Sequence, residues 1–201
     1  MDERLTISTH EADRGSAEAA DRFRAMAADT GLVDVAVGTV GSPVGELLVA
    51  VTRRGLAAIS FEGEDRDRLL DRLARELSPR VLMAARATDD VRRELDEYFR
   101  GARRRFDLRL DRRLMSPFAK DVLGATAQVP FGRLATYGEI AGRIGRPRAA
   151  RAVGAALGAN PIPIVVPCHR VIGAGGNLTG YGGGLRRKEL LLRLEGSLPS
   201  E

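Results

Sequence analysis

Tryptophan is missing from this 201-residue chain, cysteine occurs once and histidine twice, and only two of its 32 basic residues, Lys120 and Lys188, are lysines. Each scarcity removes a class of function. A lone cysteine cannot close a disulfide within the chain, and one cysteine with one usable histidine cannot supply the four ligands that zinc prefers, so no metal is expected. No charged-then-apolar leader and no long uncharged apolar stretch is present. Neither secretion nor membrane insertion is therefore expected, and the expected compartment is the cytoplasm. The near-replacement of lysine by arginine, with abundant alanine, is what a GC-rich genome produces, so arginine count alone says little about partners.

What is present suits one large domain or two small ones with a real core, since 44% of residues are apolar. Charge is uneven: net −3 over residues 1–30, +2 over 31–113 and +6 over 114–201. A basic C-terminal part beside a nearly neutral one points weakly to a polyanionic partner. Residues 1–30 are acidic and lack a sustained apolar stripe, and are expected to form a mobile extension. From Val33 onward, "DVAVGTVG", "ELLVAVT" and "LAAISF" are Val-rich runs separated by "SPVG" and "RRG", which predicts three antiparallel strands. Helical stripes follow at Leu69, Leu70, Leu73 and Leu77, and at Val91, Leu95, Tyr98 and Phe99, the second ending at Gly101. The fold class expected for 31–113 is a small α+β domain.

Ser116 followed by Pro117 predicts a helix start and the beginning of a second, mostly α domain over 114–201. Its first helix is expected to turn Phe118, Val122, Leu123 and Ala127 inward. Thr136 and Glu139 are spaced as a capping box opening a short helix through Ile140, Ala141 and Ile144, stopped by Gly145. Pro147 is expected to open the next helix, which ends before Asn160. Two short helices joined by a few residues read as a helix-turn-helix. The second is built of alanine and glycine, with Arg148 and Arg151 its large polar residues, so its backbone can press close to a partner or to another helix.

The chain's one cysteine stands beside a histidine in "PIPIVVPCHRVIG". Alone, Cys168 reads as a small buried hydrophobe and His169 as a core or surface residue. Together they suit a nucleophile and its base, because a thiol reacts as its thiolate and an imidazole can take its proton. Neighbours on a strand point to opposite faces, so the pair needs a turn or a bridging water, which Pro167 and Gly173 permit. A cysteine protease needs a third orienting group and an oxyanion hole that the sequence does not reveal. "GAGGNLTGYGGG" has the spacing of neither a Walker loop nor a dinucleotide fingerprint, so no cofactor is expected. It reads as a loop over a small pocket, with Tyr181 offering a ring face and the backbone around Gly182 offering amides. Glu195 closes a leucine-dense last helix, where a carboxylate opposes the helix dipole unless it has another task.

These residues resemble the O6-alkylguanine-DNA alkyltransferase family. "PCHRV" at 167–171, "NPIPIVV" before it, "GYGGG" and "RKELLLRLEG" after it, and the helix pair "RLATYGEIA" and "RAARAVGAAL" carry the likeness, which covers about 114–201. The resemblance implies a ribonuclease-H-like N-terminal domain and a C-terminal domain that binds double-stranded DNA containing O6-alkylguanine. It implies that Cys168 takes the alkyl group irreversibly, with His169 acting through a water as base and Glu195 orienting it. Tyr137 is then the residue that assists nucleotide rotation and donates to the leaving group, and Arg151 fills the gap left by the flipped base. Arg148 adds to DNA binding, and Asn160 joins the DNA-binding helix to the active-site loop. Tyr181, Gly182, Val171 and Pro163 are placed around the substrate pocket. A monomer acting once, without cofactor, is expected. The sequence lacks the zinc ligands of human-type members and carries an extension without counterpart. An alkyltransferase-like lesion sensor, argued against by Cys168, and a helix-turn-helix transcription regulator, argued against by the lack of base-reading side chains, are the alternatives.

Overall fold

The structure, a computed structural model, describes residues 33–199, so the expectation for the acidic extension lies outside the described residues. The three Val-rich runs form β1 (Val35–Val40), β2 (Leu47–Thr52) and β3 (Gly55–Phe61), antiparallel as expected. A fourth strand, β4 (Val81–Met83), joins the far edge in parallel with β1, Val35 opposite Val81, giving the order β3-β2-β1-β4. Three residues are too few for a period-two signal, so this strand is set by pairing with β1 rather than by its own pattern.

Between β3 and β4 runs α1 (Arg66–Glu76), capped by the Asp65 carboxylate, which accepts from the Arg68 N–H at 3.0 Å. Its leucine stripe packs on Val35, Val37, Leu48 and Ala50 of the sheet. The second stripe is α2 (Asp89–Phe99), with Val91, Leu95 and Tyr98 buried. The connecting segment then pairs back onto the sheet: Leu56 N–H donates to Arg109 O, and Asp111 N–H to Leu56 O, both at 2.8 Å.

Ser116 caps α3 (Pro117–Thr126) through its hydroxyl, 3.2 Å from the Ala119 N–H. Val122, Leu123 and Thr126 are its buried face; Ala127, expected inward, stands past the last turn as the C-cap and is exposed. The expected capping box opens α4 (Tyr137–Arg143): Thr136 Oγ1 accepts from Glu139 N–H, and the Glu139 carboxylate accepts from Thr136 N–H. Gly145, at φ 69°, ends it. Helix α5 (Ala150–Gly158) begins three residues later than expected. Pro147 and Arg148 lie instead in a turn closed by the Ala149 N–H on Arg146 O, so Arg148 stands in the connection of the helix-turn-helix. Unforeseen, β5 (Ala135–Thr136) pairs with β6 (Val171–Ile172), tying the start of α4 to the cysteine segment. The last helix is α6 (Leu185–Leu194).

One buried cluster takes Val49, Ile59, Leu95 and Tyr98 from before residue 113 and Val122, Val153, Ile162 and Leu191 from after it. The Ile59 N–H also donates to Pro161 O at 2.8 Å. The sheet thereby fixes the segment that leads into the cysteine.

Candidate active site

From Asn160 to Arg170 the chain makes two tight turns. Ile164 holds φ 73°, the one positive φ at a residue other than glycine among those described, and it is fully buried. A β-branched residue in that region carries strain of about 1–3 kcal/mol, tolerated because the surrounding packing over-determines it. The turn sends Val166 back to donate to Ile162 O, and a 3₁₀ turn (Cys168–Arg170) follows. That turn, and not an extended strand, carries Cys168 and His169.

Asn160 clasps this loop to the end of α5. Its Nδ2 donates to Val166 O at 3.0 Å and to Cys168 Sγ at 3.1 Å, while its Oδ1 accepts from the Ile162 N–H. Cys168 is 6% exposed and opens onto a cavity of about 400 Å³. Gly154, Leu157 and Gly158 of α5 form one wall, Tyr137 at the start of α4 another, and Thr179 to Gly182 the third. The second helix of the helix-turn-helix is therefore also a wall of the cysteine pocket. Gly182 contributes backbone alone; a Cβ there would stand 3.1 Å from Gly158 O.

Burial pushes the Cys168 thiol up to about 11, against the Asn160 N–H, two backbone N–H groups and the charge of Lys188, which lower it. At neutral pH the thiol is thus held protonated, and it can react as a thiolate only where a base takes its proton. His169 is completely buried, and that burial lowers its pKa despite Glu195, keeping the imidazole neutral. Its Nε2 lies 3.0 Å from Glu195 Oε1. Nδ1 has no hydrogen-bond partner among the described residues. Since Glu195 can only accept, Nε2 carries the proton and Nδ1 offers the lone pair.

Glu195 ends α6, 4% exposed, as the centre of a network wider than the sequence suggested. Arg170 grips it in bidentate fashion, Nε to Oε2 at 2.7 Å and Nη2 to Oε1 at 2.8 Å. Tyr98 OH donates to Oε1 at 2.7 Å, and Gly132 N–H approaches Oε2 at 3.5 Å. Burial alone would raise this carboxyl; hydrogen bonds and charge from His169 and Arg170 outweigh it and hold it at about 2. With the imidazole neutral, the permanently charged Arg170 is the decisive partner. Lys188 is likewise fully buried, its Nζ donating to Val171 O at 2.6 Å and Thr179 O at 3.0 Å, which pins both ends of the glycine-rich loop. Burial brings its pKa down to about 8.

The cavity thus gathers Cys168, Tyr137, Tyr181 and Gly182 on its walls, while His169 and Glu195 are buried outside its lining. Tyr137 OH donates to Thr179 O at 2.9 Å, and burial raises its pKa. Tyr181 stands edge-on to His169 and to Phe61 of β3, ring centroids 6.5 and 5.9 Å away. Arg148 and Arg151 are exposed on the helix-turn-helix and do not line the cavity. Two residues expected around the pocket do not line this cavity. Val171 and Pro163 are not on the cavity wall: Val171 packs in the core from β6, and Pro163 is buried in the turn opposite Val166.

Three contributors were not singled out for the site: Arg170, Tyr98 and Lys188. Lys188 had a signal, because Lys188, Leu191, Leu192 and Glu195 fall at i, i+3, i+4 and i+7 on one helix face, and all four are buried. Arg170 lies in a 3₁₀ turn without periodicity. Tyr98 was visible as core, but its partner is 97 residues away.

Residues 117–197 match the 6-O-methylguanine DNA methyltransferase DNA binding domain, and 35–112 match that family's ribonuclease-like domain. A methylated-DNA–protein-cysteine methyltransferase of Methanosarcina acetivorans is 43% identical over 157 residues, 78% of this chain and 95% of the relative. The crystal structure of the Mycobacterium tuberculosis O6-methylguanine methyltransferase superposes with TM-score 0.71 at 40% identity, over 83% of this chain and 96% of that one. The same organism's OGT in complex with DNA gives TM-score 0.70 at 41% identity, over 81% and 93%. The chain belongs to the 6-O-methylguanine-DNA methyltransferase family.

Proposed function

We propose that this chain repairs DNA by direct reversal, moving an alkyl group from O6 of guanine onto Cys168 in a reaction each molecule performs once. The observation that carries the reading is the cavity shared by Cys168 and α5: the only thiol opens into a purine-sized space walled by the helix-turn-helix. A base stacked in duplex DNA cannot reach a sulfur at the bottom of such a space, so the nucleotide must swing out. Small side chains on α5 suit close approach to a minor groove, where sequence is poorly read, and exposed Arg148 and Arg151 supply phosphate contact and a side chain to occupy the vacated stack.

The chemistry balances simply. The Cys168 proton passes, through a bridging water, to His169 Nδ1; sulfur attacks the alkyl carbon; the carbon–oxygen bond breaks as the carbon–sulfur bond forms; guanine takes a proton from Tyr137 OH and leaves repaired. The imidazolium gives up its proton through solvent as Tyr137 regains one, so the net exchange is the alkyl group for the thiol proton. Glu195, held anionic by Arg170, fixes the tautomer and balances the imidazolium that forms. Tyr137 OH, on the cavity wall, is placed to donate toward the leaving guanine. The thioether has no deprotonated state, so nothing regenerates the thiol.

The test is stoichiometry. Duplex DNA with isotope-labelled O6-methylguanine, in excess over protein, yields one label per protein molecule and then stops. Continued turnover, or label remaining wholly on DNA, contradicts the proposal; the latter outcome favours a lesion sensor.

A further inference from the structure

A second, larger cavity of about 1070 Å³ shares no lining residue with the cysteine pocket. It lies where the β2–β3 turn, the segment connecting α2 to α3, the loop after α3 and the residues before Cys168 meet. Its lining contains Arg54, Arg104, Arg105, Arg109, Arg112 and Arg170 and not one carboxylate.

Arginine is common throughout this chain, so the pairing of these residues matters more than their number. Elsewhere in the first half most arginines meet an acid: Arg66 with Glu46, Arg80 with Asp34, and Arg103 with Glu94, Glu97 and Asp107. Of the six in the cavity only Arg170 does, its guanidinium being consumed by Glu195 and by Val129 O. The other five are exposed and form no ion pair among the described residues. Arg104 lies over the Phe131 ring, 5.6 Å from its centroid, which orients that charge without neutralising it. Five unpaired guanidinium groups around one concavity repel one another, and a genome-wide arginine bias does not sort acids away from a single groove. Guanidinium forks match phosphate oxygens, and spaced along a groove they follow a phosphodiester backbone better than a single small anion.

We infer that this groove is a second nucleic-acid site, binding the phosphate backbone of a DNA segment other than the one offered to the cysteine pocket. None of its residues belongs to the helix-turn-helix, so the two surfaces share no side chain and can be altered separately. The inference rests on the groove's own composition and stands whether or not the helix-turn-helix contacts DNA as proposed above.

The test uses the full chain and fluorescence anisotropy with two probes, a labelled oligothymidylate and an unmodified duplex of equal length. Four proteins are compared: the natural chain, a groove variant (Arg105→Ser, Arg109→Ser, Arg112→Ser), a helix variant (Arg148→Ser, Arg151→Ser) and their combination, each checked for an unchanged urea midpoint. The groove substitutions are expected to weaken binding roughly tenfold or more, in the helix-variant background as well. They also reduce the slope of log affinity against log salt by about 2 for the strand or about 3 for the duplex, three phosphate contacts being lost. The probe that loses more identifies the natural occupant as strand or duplex. Unchanged affinity and slope on adding the groove substitutions to the helix variant overturns the inference. An unaffected helix variant with a weakened groove variant instead contradicts the helix-turn-helix reading and leaves the groove standing.

Discussion

Replacing Arg170 with methionine destabilises the protein by about 3–5 kcal/mol, the range expected when one partner of a buried ion pair is removed and the other charge stays behind. Methionine retains much of the packing under Phe131, whose ring the guanidinium carbon approaches to 5.8 Å, so the loss is mainly electrostatic. The pH dependence separates this from a packing defect by its slope. In the natural chain Glu195 is depressed to about 2, so its contribution is present above the ordinary carboxylate pKa near 4.5 and is lost as pH falls from there through about 2. Without Arg170, burial is opposed only by the remaining hydrogen bonds, and the Glu195 pKa moves up toward or past the ordinary value. The stability lost on acidification shrinks accordingly. Urea unfolding at several pH values between 3 and 8 should show a shallower acid slope in the variant than in the natural chain; parallel curves would show that Arg170 acts only as filler.

Substituting alanine for His169 lowers the rate of alkyl transfer by about 10²–10⁴, the usual contribution of a positioned general base. The loss depends on pH in a way that a merely loosened fold does not reproduce. His169 is neutral across the neutral range because burial lowers its pKa, so the natural chain reacts at a nearly constant rate there and slows only on acidification below the ordinary imidazole value of 6.5. The variant must wait for spontaneous ionisation of Cys168, and its rate climbs about tenfold per pH unit toward about 11. The gap between the two proteins therefore closes in alkali. A deficit that stays constant with pH would remove His169 from the proton path.

What the sequence made legible, and what it did not, divides along the range of the interactions. Caps are local: Ser116 and the Thr136–Glu139 box declare themselves within four residues, and both helix starts stand where those residues put them. Periodic stripes are nearly as local, so α1, α2 and the three Val-rich strands were readable. The start of α5 was misplaced because Pro147 suits a turn as well as a helix N-terminus, and the Arg146–Ala149 turn prevailed. Strands β4, β5 and β6 have two or three residues each and exist only through partners distant in sequence. The thiol and imidazole were conspicuous by rarity, and the family resemblance supplied Glu195. The arrangement around Glu195 was not readable, since Tyr98 and Arg170 reach it from separate segments of the chain. Val171 and Pro163 flank the cysteine in sequence, yet the turns around Ile164 and the pairing of β5 with β6 carry them behind the wall instead of onto it.

Everything argued for the site depends on one sulfur accepting the alkyl group. Peptide-resolved mass spectrometry after reaction with O6-methylguanine DNA tests that directly. The account predicts a gain of about 14 Da, one methyl group replacing the thiol hydrogen in the chemistry above, on the peptide containing Cys168, fragment ions placing it on the sulfur, and no gain in Cys168→Ser. A methyl found on any other residue, or transfer that persists in Cys168→Ser, would contradict it.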